Sequence, residues 1–146
     1  TLREIDIDAM AADIYARPTA FDVILTTNMF GDILSNLANA LAGGLGLASA
    51  LNMGEAHLAA NAGHGSAPDI AGRGIANPSG LILSAALLLR ELGARRGSNA
   101  MVAAADAVDH AIDRALTDPA TRTRDLGGEA GTERFADAVC EALARA

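Results

Sequence analysis

The hydrophobic and polar positions of this chain follow the helical period over most of its length. Apolar residues recur every three or four positions in four stretches, which predicts amphipathic helices. These stretches are 1–17, about 29–42, about 99–116 and about 132–145. A fifth stretch, 79–92, is apolar on nearly every side, which predicts a buried helix that ends at Gly93.

Three segments do not follow the helical pattern. Residues 21–27 are nearly continuously apolar and β-branched, which is typical of a strand buried on both faces, and Asn28 can cap the helix that comes next. The glycine-rich segment 43–46 favours a hinge or a domain boundary. The small apolar residues 47–58 predict no definite element.

The polar loop 64–78 has the sequence HGSAPDIAGRGIANP and lies between two apolar segments. Its glycines permit close approach to a flat ligand, and its two prolines stiffen it. Asp69 supplies one carboxylate, which suits the vicinal hydroxyls of a ribose. Asn77 and Pro78 predict an N-cap and the first residue of a helix, whose N–H groups could receive an anion or a polar ring. The alternative is a loop that only connects two core elements.

Oxygen-bearing side chains form a stripe on the second predicted helix, at Asp32, Asn36 and Asn39. Asp32 and Asn36 are one turn apart, so both could reach one hard cation such as Mg²⁺ or Mn²⁺. The alternative is a polar stripe that faces solvent. Asp8 lies beside the apolar stripe of the first helix, where a carboxylate by itself indicates a solvated edge.

Composition narrows the classes of partner. The chain has 146 residues, a length typical of one domain, and a net charge of −7 without a basic patch, so we expect no nucleic-acid partner. Its longest apolar run, 81–89, is too short to span a bilayer, so we expect no membrane partner. The single cysteine, Cys140, is predicted to be a small buried hydrophobe. No signal peptide is visible, which favours the cytoplasm, and Thr1 suggests that the chain begins within a longer protein.

Three motifs occur in one order along the chain and carry a resemblance to a known family. They are N-M-F-G-D-I-L-S from Asn28 to Ser35, the loop from His64 to Pro78, and D-L-G-G at 125–128 followed by Gly131-Thr132. Together they resemble the C-terminal part of the isocitrate/3-isopropylmalate dehydrogenases, which are metal-dependent β-decarboxylating enzymes. The match covers essentially the whole chain, and the second motif is long and specific.

The resemblance implies an α/β fold that is not a Rossmann fold, with a large and a small domain beside an active-site cleft. In that fold this chain would be an incomplete, helix-rich C-terminal segment. Residues 1–43 would belong to the small domain, which carries the dimer interface and the metal site. Residues 44–146 would be the C-terminal part of the large, NAD-binding domain. The resemblance also implies a homodimer with a shared active site.

The loop would bind NAD if the resemblance holds. Asp69 matches the residue that binds the adenosine ribose, and Ile70 follows it where NADP-dependent relatives usually carry a basic or aromatic pair. A carboxylate would also repel a 2′-phosphate. His64 and Asn77 match residues around the adenine. The full set of implied NAD-binding residues is His64, Gly65, Ser66, Ala67, Pro68, Asp69, Ile70, Ala71, Gly72 and Asn77.

The resemblance also implies a metal site shared between subunits. Asp8 matches a ligand of the metal and the substrate that acts across the dimer interface, and Asp32 matches a metal ligand from the other subunit. Asn36 stands where the family usually has a third Asp, so its carbonyl oxygen would ligate with less charge and weaker binding. Asn61 stands where many members have a Glu near the nicotinamide.

The implied activity is oxidative decarboxylation of a 2-hydroxy acid with NAD and Mg²⁺ or Mn²⁺. The motifs favour 3-isopropylmalate, the substrate in leucine biosynthesis, and isocitrate, D-malate and tartrate remain alternatives. The family's catalytic lysine, its tyrosine and its substrate-binding arginines all precede the matched segment, and this chain contains no lysine. We therefore assign no catalytic residue and expect the chain alone to be inactive. The alternative classes are an inactive nucleotide-binding relative and a purely structural helical domain.

Overall fold

Five α-helices and one β-hairpin make up the regular structure of residues 2–145, which are the residues that the computed structural model describes. The chain divides into two compact units between Gly44 and Leu45. The first unit contains helices α1 (Ile7–Ala16) and α2 (Asn28–Leu41). The second contains strands β1 (Ser49–Met53) and β2 (Leu58–Ala62) and helices α3 (Ser79–Arg96), α4 (Asn99–Thr117) and α5 (Thr132–Leu143).

The first unit is a pair of helices around a small core of Met10, Ile14 and Leu34, each at most 6% exposed. Helix α1 begins six residues later than predicted, because Asp6 is extended and the residues before it are not helical. Helix α2 begins at Asn28 itself. The predicted cap at this residue is therefore wrong, since Thr27 is the N-cap and contributes no side-chain bond within the described residues.

The predicted strand at 21–27 is wrong. The segment is largely extended, yet among residues 2–145 no other segment pairs with it in a ladder, and a strand exists only as a member of a sheet. Val23 and Leu25 are 86% and 90% exposed. The apolar pattern that indicated burial on both faces is present, but the burial is not.

The unassigned stretch 47–58 begins the antiparallel hairpin of β1 and β2, in which Ser49 pairs with Ala62 and Met53 with Leu58. Helix α3 packs on this hairpin through small residues. The Ser84 hydroxyl accepts a hydrogen bond from the Ala50 amide at 3.1 Å and lies 2.8 Å from the Asn61 carbonyl. The residues of this hairpin are small and have weak β propensity, so propensity alone does not predict it. Its stability comes from packing against helix α3.

Helix α3 continues past the glycine that was predicted to end it. Gly93 is buried where α3 meets α4, and an ideal Cβ there would lie 2.9 Å from Val102 Cγ2. Gly93 therefore permits close packing. The helix ends at Arg96, and its C-cap is Gly97, which has a left-handed φ of 64°. The helix is also less buried than predicted, since Leu81 is 58% exposed. No helix in the described range 2–145 has the length and apolar character needed to cross a membrane.

The main core of the second unit lies between α4 and α5. Phe135 and Ile112 are 0% and 1% exposed at its centre, and Ile82 and Leu83 of α3 pack against it. Cys140 lies on α5 but is exposed, so the predicted burial of this residue is wrong. Phe135, Val139 and Ala142 form the face that enters the core, and Cys140 lies one residue beyond that face.

Candidate cofactor loop and metal ligands

The predicted cofactor loop connects β2 to α3 and is shaped by short local turns. Pro68–Ile70 forms one 3₁₀ turn, and the Ile70 amide donates to the Ala67 carbonyl at 3.1 Å. The Arg73 amide then donates to the Ile70 carbonyl at 3.1 Å. Ala67 itself has a left-handed φ of 43°, which is uncommon for a residue with a side chain. The backbone of this part of the loop is therefore fixed by local hydrogen bonds.

Asp69 lies within this 3₁₀ turn and is exposed. Gly72 and Gly74 follow it with φ values of 74° and 62°, and space is open where a Cβ would stand at either position. An L side chain would be strained at both glycines. The backbone beside Asp69 is thus accessible, as close approach by a ligand requires.

His64 and Asn77 stand at the two ends of the loop in different environments. The His64 ring is exposed, and its Nδ1 lies 2.9 Å from the Gly65 carbonyl. Asn77 is 8% exposed, and its Oδ1 accepts a hydrogen bond from the Ser79 amide at 2.9 Å. Helix α3 begins at Ser79, so the predicted helix start at Pro78 is wrong by one residue. The Asn77 side chain nevertheless satisfies a free amide at the helix N-terminus.

Residues of the segment 124–132 form hydrogen bonds with the second half of the loop, residues 74–77. Asn77 Nδ2 donates to Asp125 Oδ2 at 3.0 Å, and the Thr132 amide donates to the Gly74 carbonyl at 2.9 Å. The Thr132 hydroxyl also donates to the Ala76 carbonyl. Sequence reasoning gave Asp125 and Thr132 no role in the site. The signal that could have found them is their place in the third motif, D-L-G-G followed by Gly-Thr.

The predicted metal ligands all lie in the first unit. Asp32 and Asn36 are one turn apart on α2 and both are exposed. Asp8 lies in the first turn of α1, is exposed, and its Oδ1 accepts a hydrogen bond from the Ala9 amide at 2.8 Å. Residues 2–145 contain no group of three or more His, Cys, Asp or Glu that could hold a metal ion. One copy of this chain thus brings together the Asp32–Asn36 pair but no acidic cluster.

Comparison with known proteins places this chain in a family. A family model described as isocitrate/isopropylmalate dehydrogenase matches residues 1–139. The chain belongs to the isocitrate/isopropylmalate dehydrogenase family. It is 50% identical over 142 residues to isocitrate/homoisocitrate dehydrogenase of Thermus thermophilus, an alignment that covers 97% of this chain and 40% of the relative. It is 47% identical over 137 residues to 3-isopropylmalate dehydrogenase of Deinococcus radiodurans. This alignment covers 94% of this chain and 37% of the relative.

Solved structures of family members confirm the predicted fold class. The crystal structure of isocitrate dehydrogenase from Methylococcus capsulatus has a TM-score of 0.86 and 40% identity, and covers 94% of this chain and 39% of that chain. The crystal structure of a β-decarboxylating dehydrogenase from Thermococcus kodakarensis has a TM-score of 0.79 and 36% identity. It covers 98% of this chain and 40% of that chain. The chain therefore has part of the isocitrate/isopropylmalate dehydrogenase fold and spans about 40% of the length of the relatives that it matches.

Proposed function

We propose that this chain supplies the NAD-binding loop and part of the divalent-metal site of a dehydrogenase that oxidatively decarboxylates a 2-hydroxy acid. The observation that carries the proposal is the placement of Asp69. Its carboxylate is exposed in a stiff 3₁₀ turn, beside glycines with open space around them. A cofactor-binding loop needs a fixed polar group that a ligand can reach, and family membership makes a dinucleotide the expected ligand.

NAD is proposed over NADP because of charge. An ionised Asp69 can only accept hydrogen bonds, which suits the two hydroxyls of the adenosine ribose. The same charge would repel a 2′-phosphate. Ile70, half-buried behind it, offers no cation to offset that repulsion. His64 and the backbone of residues 65–72 and 77 complete the proposed site.

Asp8, Asp32 and Asn36 are the residues that would hold Mg²⁺ or Mn²⁺. Their carboxylate and amide oxygens are the donors that such hard cations prefer. Asp32 and Asn36 are exposed one turn apart and suit two positions on one ion, whereas Asp8 would serve the site of a second copy in a homodimer. When bound, the ion would polarise the substrate's hydroxyl oxygen, which is attached to the carbon that is oxidised. Asn36 lowers the negative charge of the pair, so we expect Asn36→Asp to tighten binding of Mn²⁺.

The two compact units divide these roles. We assign residues 1–43 to the small, dimerising and metal-binding domain and residues 44–146 to the large, NAD-binding domain. The contact boundary at Gly44 supports this division. The catalytic lysine and tyrosine would come from polypeptide beyond the matched segment, so we expect the 146-residue chain alone to bind NAD without turnover.

We propose 3-isopropylmalate as the substrate and isocitrate or homoisocitrate as the second candidate. The relative from Deinococcus radiodurans is named for the first acid and the relative from Thermus thermophilus for the second pair, at 47% and 50% identity. An assay of Mn²⁺-dependent NAD reduction, on the longest open reading frame that contains this chain, would compare isopropylmalate, isocitrate, homoisocitrate, D-malate and tartrate. The highest kcat/KM is expected with isopropylmalate, and a higher value with any other acid would contradict this substrate.

NAD binding by the 146-residue chain tests the loop directly. Calorimetry would compare the wild type with Asp69→Ala, and with Asp137→Ala as a control at an exposed acid of α5. Hydrogen bonds to charged groups contribute about 1.5–3 kcal/mol, so Asp69→Ala should raise the Kd for NAD about 10- to 100-fold. The same change should reduce the preference for NAD over NADP. An unchanged Kd in Asp69→Ala would remove the ribose assignment.

A further inference from the structure

Both the amide nitrogen and the carbonyl oxygen of the Asn77 side chain form hydrogen bonds within the protein. Its Nδ2 donates to Asp125 Oδ2 at 3.0 Å, and its Oδ1 accepts from the Ser79 amide at 2.9 Å. The residue is only 8% exposed. This amide therefore joins three segments of the second unit, and a ligand in the loop would meet the Asn77 backbone more readily than its side chain.

The partner of this amide, Asp125, is held by its own turn. Arg124–Leu126 forms a 3₁₀ turn, and the Leu126 amide donates to the Thr123 carbonyl at 3.1 Å. The turn ends at Gly127, which has a left-handed φ of 77°. The carboxylate is thus presented from a fixed backbone, 48 residues along the chain from Asn77.

A third segment closes around the pair. An ideal Cβ on Gly46 would lie 2.8 Å from Asp125 Oδ2 and 2.8 Å from Asn77 Cβ. Contacts this short leave no space for a side chain at position 46. The lack of a side chain at Gly46 therefore lets this segment lie directly against the hydrogen-bonded Asn77–Asp125 pair.

Charge sets the direction of the Asn77 amide. An ionised carboxylate only accepts hydrogen bonds, so Asp125 must face the NH₂ group of Asn77. The carbonyl oxygen of Asn77 is then turned toward the Ser79 amide, which would otherwise be one of the free donors at the start of α3. A neutral amide at position 125 could face Asn77 with either of its ends and would not fix this direction.

We propose that Asp125 is a positioning residue for the loop 74–78, and that it acts by orienting the Asn77 side chain. Thr132 secures the same stretch by bonds to Gly74 and Ala76, so the C-terminal motif serves as a clamp on the loop. The consequence for ligand binding rests on the proposed function: when the clamp is loosened, the loop binds NAD less tightly even though Asp125 does not contact the nucleotide through this bond.

The test uses the 146-residue chain and two readouts, one of them independent of any ligand. Asp125→Asn keeps the shape of the side chain and removes its charge, and Asp137→Ala is the control at an exposed acid on α5. Hydrogen exchange would be followed at the Ser79 amide and, as a reference for the core, at the Ile112 amide. Calorimetry would give the Kd for NAD.

We expect Asp125→Asn to lower the protection of the Ser79 amide about tenfold, because a neutral amide replaces the charged acceptor and no longer fixes the direction of the Asn77 side chain. Ile112 should keep its protection, and the Kd for NAD should rise by a similar factor. Asp137→Ala should change neither readout. In the cycle with Asn77→Ala, the double variant should bind NAD no more weakly than Asn77→Ala alone, because both changes act through the same hydrogen bond.

Unchanged protection of Ser79 in Asp125→Asn would overturn the proposal. Equal losses at Ser79 and Ile112 would also overturn it, since they would make Asp125 a general stability residue. If the wild type binds no NAD, the proposed function fails, and the exchange of the Ser79 amide alone then decides the role of Asp125.

Discussion

The two units of this chain differ in how completely they bury their apolar side chains. In the part of the chain from 45 to 145, the main core has seven buried residues, Phe135 among them, and three large apolar side chains are exposed. In residues 2–44 the buried core has three members, and eight large apolar side chains are exposed. These eight are Leu2, Tyr15, Val23, Ile24, Leu25, Met29, Ile33 and Leu41.

The second unit thus has a closed apolar core, whereas eight large apolar side chains of the first unit are exposed. A cleft of about 720 Å³ opens in the first unit and is lined in part by Leu2, Ile5, Val23 and Leu25. Units near 40 residues seldom fold on a hydrophobic core alone. The proposed NAD loop is thus built on a closed core, whereas the proposed metal ligands stand on two helices with few buried contacts.

The largest expected effect is in the core of the second unit. Phe135→Ala should lower the free energy of unfolding by about 3–5 kcal/mol, because it removes a fully buried aromatic ring. Leu34→Ala, its counterpart in the first unit, should cost about 2 kcal/mol, since fewer neighbours surround it. Urea unfolding followed by circular dichroism would measure both. A larger loss for Leu34→Ala than for Phe135→Ala would reverse the comparison.

An intermediate test concerns the open cleft of the first unit. Val23→Ser combined with Leu25→Ser should change the free energy of unfolding by less than about 0.5 kcal/mol, because both side chains are at least 86% exposed. The double variant should bind less of a fluorescent hydrophobic dye. Leu81→Ser, which removes an exposed leucine from the second unit, is the matched control and should leave dye binding nearly unchanged. A loss of more than about 2 kcal/mol in the double variant would contradict an exposed cleft.

The smallest expected effect is electrostatic. The Arg17 guanidinium donates to Asp13 at 2.6 Å and holds the pKa of that carboxyl below its ordinary value of 3.8. A lowered pKa means that the pair stabilises α1 above pH 3.8 and that this contribution is lost as the pH falls through the lowered value. NMR titration of Asp13 should show an upward shift of its pKa in Arg17→Ala. An unchanged pKa would show that the pair does not form in solution.

Much of the helical structure could be predicted because helix periodicity is a local property. Helices α2, α4 and α5 lie within about two residues of their predicted ranges, and α1 ends at Ala16, one residue before its predicted end. The errors occur where contacts between residues distant in sequence determine the local structure. Gly93 resembles a helix end until α4 is seen packed against it, and the weak strand propensity of 49–62 is offset by contacts with α3.

The candidate site shows the same division. Asp69 and Asp32 could be named from the motifs, since a motif records residue types in order, and Asn36 directly follows the first motif. The exposure of Asp69, the burial of Asn77 and the fixed turn at Pro68–Ile70 required coordinates. Asp125 was visible within a motif, but its hydrogen bond to Asn77 was not, because spacing in sequence does not report distance across 48 residues.

By itself, the sequence determined the family, the helical segments and the position of the loop that follows β2, because each of these depends on residues that are close together along the chain. The tertiary structure alone decided which apolar segments are covered and how the C-terminal motif clamps the loop. The physical reason is that burial and hydrogen bonding depend on which surfaces meet in space. The apolar run 21–27 can therefore stay exposed while the polar Asn77 is buried.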